Sequence, residues 1–268
     1  MFKLLLHAAI FAAGLNVTAS SAHEFWIEPE RYQVAPQEEI RAKFRNGENL
    51  VGVALPYFDR RSLRFERVLG DLREAVAPRS GDNPAFVWTA PTEGLLVIAH
   101  ETAPSRITYK DWDKFAAFAD HKGFDDIRTR HAARGLPENG FTEVYTRHVK
   151  ALVAVGNGAG EDRTLGLATE FVALANPYTD DLSGGLPVRL LLDGAPRADA
   201  LIEVFARDAA GTVRVTTTRT DAKGEARVRV MQNTEYFLDA VVLRPAPEDD
   251  SAVWETLWAG IGFRIPSR

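Results

Sequence analysis

Short apolar segments alternate regularly with turn residues, and this pattern restricts the possible folds of the chain more strongly than any other feature of its sequence. Beyond position 165 the segments are LATEFVALANP, LPVRLLLDG, ALIEVFARDAAG, TVRVTTTRTDAKG, EARVRVM, EYFLDAVVL and WETLWAGIGFRI. Turn signals such as Asp193-Gly194 separate them at intervals of about 8–12 residues, which is the spacing typical of a β-sandwich. The sequence therefore predicts a β-sandwich for this half of the chain.

The first half has the same strand-like pattern, interrupted by one helical insertion. The stretch EIRAKFRN alternates apolar and charged residues, and AFVWTAPTEGLLVIAHE predicts a strand, a turn and a second strand. In DWDKFAAFADHKG, by contrast, Trp112, Phe115 and Phe118 recur at helical spacing. An aspartate that suits the N-cap precedes this run, and a glycine that suits the position after the C-cap follows it. We expect a helical insertion at about residues 110–148.

A stretch rich in glycine and charge, GNGAGEDRTLG at positions 156–166, separates the two β-rich halves. Such a composition is typical of a linker or a domain boundary. The chain is therefore predicted to be all-β, with two immunoglobulin-like β-sandwich domains. The first occupies residues 23–160 and carries the short α-helical insertion, and the second occupies residues 165–268.

The first 22 residues have the pattern of a cleavable signal peptide. Lys3 precedes the apolar run LLLHAAIFAAGL, and small residues follow it up to Ser20-Ser21-Ala22. The run is shorter than the roughly 20 residues that a membrane-spanning helix needs. We expect cleavage after Ala22 and export to the periplasm or beyond, with no membrane span in the mature chain. The alternative is an uncleaved anchor.

The composition excludes several kinds of functional site. The 268 residues include no cysteine, which excludes a disulfide scaffold, a zinc–thiolate site, an iron–sulfur cluster and a cysteine nucleophile. The formal net charge of −5 gives no overall basicity for binding nucleic acid. No serine lies in a GxSxG turn, and GNGAG lacks the lysine and hydroxyl of a phosphate-binding loop.

Two resemblances to known families rest on specific motifs. The stretch PVRLLLDGAPRADALIEVFARD, with TDAKGEA before a later strand, resembles the carboxypeptidase-regulatory-like or transthyretin-like sandwich. The motifs AHEFWIEPERY, WDKFAAF, YTRHVKALVAVG, ATEFVALANPY, TDAKGEA and WETLWAGIGF together resemble the bacterial family DUF4198, formerly described as NikM-like nickel-uptake proteins. This second resemblance covers roughly residues 22–265. It implies export, a two-part β-rich structure and an association with nickel or cobalt uptake, and it implies no catalytic residue.

Cleavage after Ala22 would make His23 the first residue of the mature chain. Its ring and the new α-amine can then chelate one metal ion, because a metal displaces the amine proton near neutral pH. Two nitrogens with another histidine suit copper(II) or nickel(II). We expect His100, at the end of an apolar strand, and His148 to be partners in a site for nickel, cobalt or copper. The alternative is a frayed His23 at the start of an edge strand.

Other basic residues have structural interpretations beside the functional ones. His121 is expected to stabilise the end of the first helix through the helix dipole, and His131 lies among arginines that repel a metal ion. The basic residues of the insertion could together form a pocket for a carboxylate or phosphate. They are Arg128, Arg130, Arg134, Arg147 and Lys150. We favour a solvated face on which these charges pair with nearby aspartates.

Together these observations predict an exported binding protein that captures or hands over a transition metal. Its partner would be a metal-uptake transporter or another periplasmic protein. The first alternative is a binding or adaptor module for a protein, a sugar or an anion, which needs no metal. The second is a copper-dependent oxidase that uses an N-terminal histidine. Histidines that cluster around His23 favour the metal, and histidines that lie far apart favour the adaptor.

Overall fold

The computed structural model describes residues 23–247 and 251–267, so the expected signal peptide at residues 1–22 lies outside the described residues. Within them the chain forms eighteen strands and two α-helices. The strands before the helices are β1 (Glu24–Pro29), β2 (Gln33–Val34), β3 (Glu39–Glu48), β4 (Val51–Leu55), β5 (Ser62–Leu69), β6 (Leu72–Ala75), β7 (Phe86–Thr89), β8 (Gly94–Thr102) and β9 (Ser105–Tyr109). The helices are α1 (Trp112–His121) and α2 (Ile127–Ala133). The strands after them are β10 (Phe141–Val155), β11 (Thr169–Ala173), β12 (Leu186–Leu192), β13 (Ala195–Pro196), β14 (Leu201–Arg207), β15 (Val213–Arg219), β16 (Glu225–Val228), β17 (Thr234–Pro245) and β18 (Trp254–Ile265).

A ten-stranded sheet, here called the central sheet, contains strands from both halves of the chain. Its main path runs in the order β15-β14-β17-β18-β10-β8-β5-β6, and β9 and β2 pair with the two ends of β10. Most neighbours are antiparallel, but β10 and β18 run parallel from Glu143↔Trp254 to Ala151↔Gly262. This parallel pair joins the half before the glycine-rich stretch to the half after it.

Two smaller sheets cover opposite faces of the central sheet. The N-terminal sheet consists of β1, β3, β4 and β7, and the C-terminal sheet of β11, β12, β13 and β16. Alternate residues of β8 show the division, since Leu96 and Ile98 join the core under the N-terminal sheet, whereas Val97 and Ala99 join the core under the C-terminal sheet. The prediction of an all-β sandwich protein is confirmed, and its two sandwiches share the central sheet.

The helical insertion packs on the same face of the central sheet as the N-terminal sheet. As the sequence predicts, the Asp111 side chain accepts a hydrogen bond from the Lys114 backbone N–H at the start of α1, and Gly123 follows its end with φ of +79°. The last part of the expected insertion is strand, because β10 begins at Phe141. The aromatic residues in the core between the helices and the sheet include Trp112, Phe115, Phe118, Trp254 and Trp258.

The glycine-rich stretch at the expected boundary is fixed to the central sheet by a buried ion cluster. The Lys150 side chain on β10 is 1% exposed, and its ammonium lies 2.7 Å from the Asp162 carboxylate and 3.2 Å from the Glu170 carboxylate. The same ammonium donates to the backbone carbonyls of Arg163 and Phe171. The hydrogen bonds replace the water that the lysine gives up on burial, so the cluster holds the stretch against β10.

We predict that Lys150→Met lowers the free energy of unfolding by about 3–5 kcal/mol, because it leaves two buried carboxylates without their cation. Denaturant unfolding followed by circular dichroism measures the change. The exposed Lys223→Met variant is the matched control and should stay within about 0.5 kcal/mol of the unmodified protein. A loss below about 1 kcal/mol for Lys150→Met would show that the ion cluster does not stabilise the fold.

Candidate binding cleft

A gap separates the N-terminal sheet from the helical insertion on their shared face of the central sheet. Strand β10 forms its floor. Glu143, Tyr145 and Arg147 are every second residue of this strand, so their side chains point to the same side. We call this gap the His23 cleft, and it has a volume of about 240 Å³. Its lining residues are His23, Asn46, Ile107, Tyr109, Lys114, Phe118, Glu143, Tyr145, Arg147 and Trp258.

A second cavity of about 320 Å³, the His100 cleft, adjoins the first. Asn46, Tyr145 and Arg147 line both, so the two cavities meet at these side chains. The other residues that line the His100 cleft are Phe25, Phe44, Leu55, Pro56, Phe58, Arg61, Ser62, His100, Thr102, Ala103 and Ser105. Aromatic and aliphatic walls with a few convergent polar groups are the usual composition of a small-molecule site.

Arg147 is the cation that the two clefts share. Its Nη2 donates to the His23 carbonyl oxygen at 2.9 Å, and its guanidinium carbon lies 4.7 Å from the ring centre of Tyr145. Its Nε is buried without a hydrogen-bond partner. Within the described residues the guanidinium forms no ion pair with a carboxylate at 4.0 Å or less. The arginine is thus positioned by contacts other than a direct ion pair, although Glu143 and Asp239 lie near enough to feel its charge.

Glu143 is the acidic residue on the floor of the His23 cleft, and its oxygens are already occupied. Tyr109 donates its hydroxyl hydrogen to one carboxylate oxygen at 2.7 Å, and Thr256 donates to the other. Burial raises the pKa of Glu143, an effect opposed by these hydrogen bonds and by the charge of Arg147. The carboxyl group therefore serves to hold Tyr109 and Thr256 in place, and the accessible charges of the cleft are those of Arg147 and Lys114.

His100 and Ser62 form the polar pair of the His100 cleft. The distance between Ser62 Oγ and His100 Nε2 is 2.5 Å, whereas His100 Nδ1 is buried without a partner. Burial, with a smaller contribution from the charge of His148, lowers the pKa of His100 to about 3. The lowered pKa and the absence of a group orienting the second nitrogen both argue against His100 as a general base for Ser62.

The three histidines expected to share a metal do not come together. His100 packs against the rings of Phe25 and Phe44 under the N-terminal sheet. His148 lies four residues before Leu152 on β10, so the two side chains point to the same side of the strand. Leu152 is in the core under the C-terminal sheet, so His148 lies on the opposite face of the central sheet from His100. Across residues 23–247 and 251–267, no group of three or more His, Cys, Asp or Glu side chains is arranged to hold a metal ion.

His23 itself is held in place at the edge of the His23 cleft. Its ring Nδ1 lies 3.3 Å from the side-chain nitrogen of Asn46, its Nε2 lies 3.5 Å from the Glu48 carboxylate, and its carbonyl accepts from Arg147. The ring remains 55% exposed, so ligands can reach it. These contacts argue against the alternative of a frayed residue at the start of β1.

The remaining basic residues of the insertion do not join Arg147. The guanidinium groups of Arg130 and Arg134 stack on Trp254 and donate to backbone carbonyls, while Arg128 pairs with Glu138. His131 is structural, since it accepts from the Trp254 indole N–H at 3.0 Å and its Nε2 lies 3.0 Å from the Pro137 carbonyl oxygen. Sequence reasoning missed the shared cleft residues Asn46 and Tyr145, for which no local motif exists.

A second buried ion cluster supports the wall of the His23 cleft from behind. The Lys122 ammonium lies 2.8 Å from the Asp239 carboxylate, contacts Glu203, and lies 3.8 Å from the Glu24 carboxylate. It also lies 4.8 Å from the ring centre of Trp258, which lines the cleft. The cluster joins the end of α1 to β1, β14 and β17, and it therefore fixes the distance between the insertion and the N-terminal sheet.

The fold and the cleft define a β-sandwich protein with a potential ligand site between a sheet and a helical insertion. The family model for a domain of unknown function, DUF4198, matches residues 20–244, and the chain belongs to this family. This result confirms the family indicated by the sequence motifs. No curated protein matches the chain. No helix within the described residues has the length and apolar character needed to cross a membrane.

Two of the solved structures to which this chain is similar share little sequence with it. One is the tetra-tandem repeat in the extending region of a large adhesion protein, with 9% identity, a TM-score of 0.21, and coverage of 90% of this chain and 49% of that one. Another is the D0-D1 domain of intimin, with 12% identity, a TM-score of 0.19, and coverage of 89% and 97%. This chain thus spans about half the length of the first structure. At these TM-scores neither similarity implies a shared fold or function.

We predict that Glu24→Gln removes a pH dependence of stability that the burial of Glu24 creates. Burial raises the pKa of Glu24 from 4.5 to about 8, although the charge of Lys122 opposes the rise. As the pH rises from about 4.5 to 8, the unfolded chain loses this proton and the folded chain keeps it, so the native state becomes less stable. The variant should match the unmodified protein at pH 4.5 and exceed it at pH 9 by at most about 5 kcal/mol.

Denaturant unfolding at a series of pH values tests this prediction. The exposed Glu39→Gln variant is the matched control and should follow the unmodified protein at every pH. Parallel pH profiles for Glu24→Gln and the unmodified protein would contradict the assignment of the dependence to Glu24.

Proposed function

We propose that this protein is a binding protein that holds a small organic anion at Arg147, in the compartment to which its predicted signal peptide directs it. The observation that carries the proposal is the position of Arg147 between the two adjoining clefts, with no carboxylate partner among the described residues. Arginine is the side chain best suited to carboxylate and phosphate groups, because its planar guanidinium presents several N–H donors in a fixed geometry.

The surroundings of Arg147 favour an anion over a cation. Lys114 adds a second positive charge to the His23 cleft, and Arg61 adds one to the His100 cleft. The acidic residue on the floor, Glu143, is occupied by Tyr109 and Thr256. Partial enclosure by aromatic walls lowers the effective dielectric constant, which strengthens the attraction between the guanidinium and a bound anion.

Binding without chemical conversion agrees with the chemistry of the lining residues. Ser62 and His100 are the nearest approach to a nucleophile and base, and the pKa of His100, lowered to about 3 by burial, makes it a weak base. Glu143 is raised in pKa but already accepts two hydrogen bonds. The hydrogen bonds that occupy Glu143 and the lowered pKa of His100 argue against either group as the base of a chemical step.

We predict that Arg147→Gln weakens anion binding at least about tenfold, because a hydrogen bond from a charged donor contributes about 1.5–3 kcal/mol. Calorimetric titration would use a panel of short carboxylates, phosphate monoesters and sulfonates, with neutral amides as negative controls. Arg214→Gln, an exposed arginine outside both clefts, is the matched control and should bind the panel like the unmodified protein. Equal affinities for Arg147→Gln and the unmodified protein would overturn the proposal.

A second candidate function, transition-metal binding at His23, is favoured by the way this residue is held. The side-chain nitrogen of Asn46 lies 3.3 Å from Nδ1, and an N–H donated there would leave the ring lone pair on the nitrogen that can form a chelate with an adjacent α-amine. Cleavage after Ala22, which lies outside the described residues, would create that amine. Copper(II) or nickel(II) would then be held by the α-amine and Nδ1 of His23, without His100 or His148, while Glu48 stays beside the other ring nitrogen, Nε2. Delivery to a metal-uptake transporter or another periplasmic protein would be its role.

We predict for this candidate that the exported protein begins at His23 and that His23→Ala abolishes binding of copper(II) or nickel(II). Intact mass determination gives the first residue, and calorimetric titration gives the affinity. His121→Ala, which alters another exposed histidine, is the matched control and should bind the metal normally. The Arg147→Gln variant separates the two functions, since it should weaken anion binding while both nitrogens of His23 remain available to the metal. A chain that starts elsewhere, or metal binding unchanged in His23→Ala, would contradict this candidate.

A further inference from the structure

We infer that the anion carries an aromatic group, and that this group enters the His100 cleft while the charged group stays at Arg147. The inference rests on the proposed function and names the class of ligand, an aryl-substituted carboxylate. It follows from the different composition of the two clefts on either side of Arg147.

The His100 cleft combines a cluster of phenylalanine rings with mostly uncharged polar groups, and the rings offer an aromatic subsite. Phe25, Phe44 and Phe58 line it together with Leu55 and Pro56, and none of its lining residues in the described chain is acidic. Aromatic rings prefer tilted or edge-to-face contacts with other rings, which three phenylalanines from different strands and loops can provide. A volume of about 320 Å³ can accommodate one substituted ring.

The polar pair of this cleft does not oppose an apolar occupant. Burial keeps His100 uncharged, and its Nε2 is satisfied by Ser62. An aryl group can therefore cover the pair without separating a charge from water, which would otherwise cost several kcal/mol. Arg61 lies at the rim, where its guanidinium is 5.6 Å from the ring centre of Phe58.

The His23 cleft is also lined by aromatic rings, but it contains an acid and a lysine that the His100 cleft lacks, and these charged groups suit the polar end of the ligand. Glu143 and Lys114 lie within it, and its tryptophan wall is already in contact with the Lys122 ammonium and the Phe118 ring. The Lys114 ammonium remains hydrated only if the space in front of it stays polar. The carboxylate at Arg147 and any polar substituent should therefore face this side.

Calorimetric titration with phenylacetate, acetate and the neutral analogue phenylacetamide tests the inference. The expected result for the unmodified protein is phenylacetate binding more than about tenfold tighter than either analogue, since it alone supplies both the ring and the charge. Phe58→Ala, which removes a partly exposed ring from the His100 cleft, should weaken phenylacetate about tenfold and leave acetate unchanged. Val215→Ala, which shortens a 39% exposed side chain outside both clefts, is the matched control and should change neither. Ile107→Ala, which shortens a 40% exposed side chain in the His23 cleft, tests whether the ring lies there instead.

The outcomes separate this inference from the proposed function. If Arg147→Gln abolishes binding of both carboxylates, but phenylacetate binds no tighter than acetate, the aromatic subsite is overturned and the anion site stands. If Ile107→Ala weakens phenylacetate and Phe58→Ala does not, the ring occupies the His23 cleft and the assignment is wrong. If both carboxylates bind and Arg147→Gln changes neither, the proposed function itself is overturned. Phe58→Leu, which retains an apolar side chain, guards against a folding defect and should give an intermediate affinity.

Discussion

The parallel pairing of β10 with β18 is the constraint on which the rest of the structure depends. A parallel pair requires a long connection between its strands, and here that connection contains the whole C-terminal sheet and the hairpin strands of the central sheet. Both halves of the chain must therefore form one central sheet before either sandwich is complete. The buried Lys150 cluster supports this pairing, because it ties the stretch between the halves to β10 itself.

The cleft follows from what the central sheet carries on one face. The N-terminal sheet and the helical insertion are both too small to cover that face, and the Lys122 cluster sets the separation between them. Alternate residues of β10 line the space that remains. There Arg147 is held by the backbone carbonyl of His23 and by the ring of Tyr145. A charged side chain positioned by rigid elements loses little conformational entropy on binding, which favours recognition of a small ligand.

Much of the fold was predictable because its signals are local. Period-two alternation identified the strands, a capped aromatic repeat identified α1, and scattered motifs identified the family. The start of β10 was ambiguous, since Phe141–Lys150 has no strict alternation of apolar and polar residues. The reason is that successive residues of this segment have different surroundings, which are an aromatic core, the cleft and a buried ion cluster. The cleft itself was not predictable, because Asn46, Ser62, His100 and Arg147 lie far apart in the chain and meet only through sheet pairing.

What the sequence alone determined is the β-rich class, the helical insertion, the family and the absence of cysteine chemistry, since each depends on residue identity or short-range spacing. The tertiary structure decided which histidines and arginines meet. It placed His100 and His148 on opposite faces of one sheet, used Lys150 and Lys122 as buried structural cations, and left Arg147 at the meeting point of two clefts. Strand register determines such neighbours, and register depends on long-range pairing that no single segment encodes.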